Sequence, residues 1–109
     1  MIPERMRRMS LLLDFYGEML SARQRQLCEY YYNDDLSLSE IAENTGITRQ
    51  GVSDGIKKSE RILLEAEEKL GMFSAWLRRQ KDAEAVEKRL RALGVEDREV
   101  YEALERLKA

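Results

Sequence analysis

The chain has 109 residues, 43% of them hydrophobic, with 19 Lys and Arg against 21 Asp and Glu for a formal net charge of −2. That length suits one domain with a modest core, and charges in mixed order suit a soluble, nearly all-helical protein. There is no His, which removes the usual general base near neutral pH and the commonest metal ligand, and there is neither a glycine-rich phosphate loop nor a stretch of transmembrane length; we therefore expect no catalytic residues, no metal or other cofactor and no membrane association.

Near the N-terminus stand Arg5, Arg7 and Arg8, but Asp14 and Glu18 interrupt the apolar run that follows and no small-residue cleavage site comes after it. No secretory signal is read there, and the expected location is the cytoplasm. From Arg5 to about Leu20, Met6, Met9, Leu12, Leu13, Tyr16 and Met19 recur at three- and four-residue steps, which predicts a first helix with one apolar stripe. Ser21 can cap a second helix running to about Tyr32, with Leu27, Cys28 and Tyr31 facing inward, before Asn33, Asp34 and Asp35 break the pattern. The single Cys28 has no partner for an internal disulfide and reads as a small buried apolar residue. Tyr30, Tyr31 and Tyr32 cannot all face one side of a helix, so at least one should be exposed; packing is the plain reading, and stacking on an RNA base the sharper one.

Ser37 to Arg61 has the punctuation of a helix-turn-helix. Ser37 with Glu40 makes a capping box, Ile41 and Ala42 give an apolar side, Gly46 allows a sharp turn and Thr48 restarts the chain as a second N-cap. Val52, Ile56, Leu63, Ala66 and Leu70 then keep the helical period as far as Gly71, so the second helix is long. Gly51 and Gly55 stand inside it, each costing about 1 kcal/mol relative to Ala, which calls for a steric reason: close helix packing, or close approach of a partner's backbone. Phe73, Trp76, Leu77, Ala83, Val86, Leu90 and Leu93 mark a further helix ending at Gly94, and Asp97 opens a last one carrying Val100, Tyr101, Leu104 and Leu107.

The fold expected is all-α: one helical domain over residues 1–109, with a helix-turn-helix unit at 1–71 and a C-terminal helical hairpin at 72–109. The hairpin's stripe has one short partner helix to bury it. A homodimer interface is one solution, and folding back on the long helix is the other.

L-S-A-R-Q-R, an acidic turn, S-L-S-E-I-A, G-I-T-R-Q and a long charged helix resemble region four of bacterial sigma factors over Ser21 to Leu70. Gly55 stands where that region typically carries a larger apolar residue, so the chain is not read as a sigma factor. L-L-L-D-F-Y-G-E-M-L-S-A-R-Q-R, Y-Y-Y-N-D-D-L-S-L-S-E-I-A, T-R-Q-G-V-S-D-G-I-K-K and L-E-A-E-E-K-L-G-M-F are similar, over nearly the whole chain, to the YlxM family of small bacterial helix-turn-helix proteins. That resemblance implies a cytoplasmic protein whose gene lies beside those of the signal recognition particle GTPase and its receptor, and a regulatory or accessory role in that pathway, through nucleic acid or through the GTPase or its RNA.

Thr48, Arg49, Gln50, Ser53, Lys57, Lys58 and Arg61 are the candidate nucleic-acid contacts: Arg49, Gln50 and Ser53 can read base edges, and Lys57, Lys58 and Arg61 can reach phosphates of DNA or RNA. Against them stand Asp54 and Glu60, and beyond the site Glu65, Glu67 and Glu68, so the electrostatic attraction is thin. The alternative is a protein-interaction module that keeps the fold and contacts the targeting GTPase or its ribonucleoprotein through its acidic and apolar surfaces, without sequence-specific nucleic-acid readout.

Overall fold

The computed structural model describes residues 3–109. All regular structure among them is helical, in two compact units, Met1–Gly71 and Met72–Ala109.

The first unit opens with α1, Glu4–Tyr16, whose Met9, Leu12, Leu13 and Tyr16 are buried. The helix is shorter than the sequence period suggests, because at Gly17, a weak helix former, it tightens into a 3₁₀ turn, Gly17–Met19. Three residues per turn bring Leu20 inward and leave Met19 56% exposed, which removes Met19 from the apolar stripe. Ser21 then caps α2, Ala22–Cys28: its hydroxyl accepts from Gln24 N, and the Gln24 side chain accepts from the Ser21 N–H.

After Cys28 the chain continues in a π-helical turn, Glu29–Asn33. This wider turn corrects the expected facing of the tyrosines. A strict α-helical step from Leu27 points Tyr31 inward, whereas the extra residue of an i→i+5 turn brings Tyr32 there. Tyr32 is buried, and Tyr30 and Tyr31 are both half-buried, so no member of the row is fully exposed. Asp35, at φ 55°, completes the turn into the next helix; Asp tolerates the left-handed region better than most side chains.

Next come α3, Leu38–Thr45, and α4, Arg49–Leu70, joined through Gly46 at φ 73°. The inward side of α4 carries Val52, Ile56, Ser59, Leu63 and Ala66, all buried, and packs against α1, α2 and α3. Leu70, the last residue of the expected stripe, is 59% exposed at the helix end. Low down on α4, Glu67 is buried and accepts a hydrogen bond from the Tyr16 hydroxyl at 2.7 Å. The two helix glycines are explained by packing. A Cβ on Gly55 would lie 2.8 Å from Leu27 Cδ1 of α2, and one on Gly51 would lie 2.8 Å from Ile47 Cγ2.

The second unit is a hairpin of α5, Met72–Ala92, and α6, Arg98–Lys108. Asp97 caps α6 by accepting from Glu99 N and Val100 N, while the Tyr101 hydroxyl donates to Val95 O at 2.6 Å and its ring carries the Arg91 guanidinium 4.3 Å from its centroid. Phe73, Ala83 and Leu104 are buried and Trp76 is half-buried, its ring stacked near that of Phe73. Val86, Leu93 and Leu107, assigned to the inner stripe by their period, are instead exposed. Val86 and Leu107 border an open groove along the α5–α6 seam beside the buried Ala83 and Leu104, where two helices alone do not cover them.

Candidate nucleic-acid interface

The helix-turn-helix is built by two caps and one glycine. Ser37 and Glu40 form both halves of the capping box that starts α3, and the Ser37 N–H, then its hydroxyl, hold the Glu40 carboxyl below the usual carboxylate range. Gly46 ends α3 in the left-handed region, and its N–H returns to Ala42 O. Thr48 starts α4, accepting from Gly51 N at 3.0 Å. Thr48 is therefore the cap of the candidate reading helix, its oxygen engaged with the backbone. The first turn of α4 holds Arg49 and Gln50 and no acidic residue, so the positive end of the helix dipole is left for an anion.

With about 100° between successive residues, the other candidates spread over the outer half of α4. Gln50, Lys57 and Arg61 form one stripe opposite the buried side, and all three are exposed. Arg49 and Ser53 turn toward one flank, where Ser53 is half-buried, and the exposed Lys58 turns toward the other. Gln50 donates from Nε2 to Asp54 Oδ1 at 2.9 Å, so the acidic residue in the middle of the face engages its neighbour along the helix. The seven residues share one helix without forming one patch.

On the Ser53 flank the structure adds residues that the sequence pattern did not bring together. A groove of about 260 Å³ lies there, with Tyr31, Leu38 and Ile56 as its apolar lining. Its polar lining is Arg5, Ser53, Lys57 and Glu60. Arg5 Nη2 donates to Glu60 Oε2 at 2.7 Å, and the Tyr32 hydroxyl donates to Glu60 Oε1. The hydrogen bond and then the charge of Glu60 raise the Arg5 pKa, while burial first, and then Glu60, raise that of the Tyr32 phenol. Tyr32 in turn meets the Tyr31 ring edge-on, centroids 5.0 Å apart. The Arg5, Arg7 and Arg8 cluster was visible in the sequence, but nothing in its spacing linked Arg5 to a glutamate 55 positions later.

Over residues 3–104 the chain matches UPF0122, described as "Putative helix-turn-helix protein, YlxM / p13 like". It belongs to that family. A UPF0122 protein of Listeria innocua is 42% identical over 105 residues, 96% of each chain. UPF0122 relatives from Desulforamulus reducens, 43% identical over 93% of this chain and 85% of the relative, and Acetivibrio thermocellus, 40% identical over 86% and 80%, agree with it. The UPF0122 match takes in α3, α4 and nearly all of both units. Among the described residues, no helix is long and apolar enough to cross a membrane.

Proposed function

We propose that this UPF0122 chain is a nucleic-acid-binding regulatory or accessory protein of the signal recognition particle pathway, reading DNA or RNA with the outer side of α4. The observation that carries the reading is the exposed Gln50, Lys57 and Arg61 stripe with Arg49 at the head, on a helix fixed by the Gly46 turn and the Thr48 cap. Arg49 and Gln50 reach base edges, while Lys57, Lys58 and Arg61 neutralise phosphates. A homodimer would present two such helices and offset weak single-site binding.

The test is a fluorescence-anisotropy titration against the targeting particle's RNA and a random DNA duplex at two salt concentrations. Arg49→Ala is expected to weaken binding by about 1–3 kcal/mol and to relax base preference. Lys58→Ala is expected mainly to flatten the salt dependence. Unchanged affinity in both variants would overturn the reading.

A second reading is favoured by the far half of α4, where Leu64, Glu65, Glu68 and Leu70 are exposed. An acidic and apolar surface of this kind suits a protein partner, and the pathway's GTPase is the partner that the family resemblance suggests. Purified GTPase should then associate with the chain at micromolar concentrations, and Glu65→Lys with Glu68→Lys should abolish the association.

A further inference from the structure

Arg5 and Lys57 both line the groove beside α4, one from the first turn of α1 and the other from the reading helix. Between two cations and over the apolar lining of Tyr31, Leu38 and Ile56, the groove has the chemistry of a nucleotide backbone: charge for a phosphate, a greasy surface for its sugar. It lies on the flank of α4 toward which Arg49 and Ser53 turn, so a strand read by the helix has a phosphate path running past it. Glu60 occupies the same place with an anion of the chain's own. It is half-buried, and its carboxylate accepts from Arg5 at one oxygen and from Tyr32 at the other.

Resting on the reading of α4 as a nucleic-acid helix, we infer that this groove is a backbone-phosphate subsite and that Glu60 gates it. In the free protein Arg5 is held at Glu60; on binding, its guanidinium, with a side chain 64% exposed and free to swing, turns to a phosphate that Lys57 also meets. Tyr32 keeps Glu60 in place when Arg5 leaves, so the carboxylate stays in the groove wall as a fixed charge that opposes the incoming phosphate. Exchange of one anion for another tempers the gain from Arg5. The thin net attraction of the helix is thereby built into its surroundings as well as its composition.

The experiment is the salt dependence of binding to a short random DNA duplex for the native chain, Arg5→Ala, Glu60→Gln and the two combined, with Arg49→Ala alongside. Gln keeps an acceptor for the Tyr32 hydroxyl, and Arg5 is exposed, so the fold is retained. Arg5→Ala should lower the slope of log affinity against log salt by about 0.9, the value for one phosphate contact. Glu60→Gln should tighten binding severalfold, and that gain should shrink when Arg5 is also absent, because releasing Arg5 is its main source. An unchanged slope in Arg5→Ala while Arg49→Ala weakens binding would overturn the subsite and leave the α4 reading intact. An equal gain from Glu60→Gln with and without Arg5 would overturn the gate. No binding by the native chain at low salt would overturn both the subsite and the α4 reading.

Discussion

Cys28 has no solvent exposure, and burial pushes its thiol from 9.0 up to about 11, with a hydrogen bond to Ser59 acting the other way. A raised folded value for an acid that is neutral below it has a definite sign. Below pH 9 both folded and unfolded chains hold the proton and nothing is lost; between 9 and about 11 the unfolded thiol ionises first, so stability falls as pH rises. Urea melts across that window should show the decline, and Cys28→Ala should reduce it; the Tyr32 phenol, raised in the same direction, adds to it. A thiol reagent at pH 8 should label Cys28 only as fast as the chain unfolds. The burial of Cys28 was legible from its place beside Leu27 in a helical period. The Arg5–Glu60–Tyr32 set was not, since its members lie on three separate elements and no local pattern pairs them.

At the scale of elements, the boundaries marked by chemistry were legible and those set by packing were not. Ser21, Ser37, Thr48 and Asp97 start helices, and Gly46 and Gly71 end them in the left-handed region, because a cap or a positive φ depends on a residue and its near neighbours. The 3₁₀ turn at Gly17 and the π turn at Glu29–Asn33 change the phase of a helix without any such mark, and each moved one residue of the expected stripe. Gly55 is the point where two elements meet most closely. Ala there should gain about 1 kcal/mol of helix propensity but force Leu27, buried at 3% exposure, out of a fixed position at a cost of about 1–3 kcal/mol. Gly55→Ala should therefore be neutral to destabilising in the native background and stabilising by about 1 kcal/mol in a Leu27→Ala background. Chemical denaturation of the four chains gives the cycle; the same sign in both backgrounds would refute the contact.

For the whole molecule, net charge and helical content were legible from composition, but which apolar residues stay outside was not. A period of 3.6 assigns a residue to a face and says nothing about whether a neighbour covers that face. Val86, Leu93 and Leu107 are 48%, 62% and 58% exposed, and Val86 and Leu107 border a shallow groove with Leu104, Arg79 and Asp82. Opposite charges beside one apolar groove are self-complementary: about a two-fold axis, Arg79 of one copy can meet Asp82 of the other. The homodimer proposed above should then form through this face. Sedimentation equilibrium should give twice the chain mass for the native protein and a monomer for Val86→Glu with Leu107→Glu; a native monomer at all concentrations would exclude it.

α4 is the wall of a core on one side and the candidate reading surface on the other, and those two sides share a single backbone. Val52 and Ile56 are locked among α1, α2 and α3, so Arg49, Gln50, Ser53 and Lys57 inherit fixed Cα positions before any ligand arrives. On the proposed reading, association would order side chains but no main chain, and should lack the large heat-capacity change of a segment that folds as it binds. Recognition by this helix, as proposed, would be a matter of fit between two finished shapes.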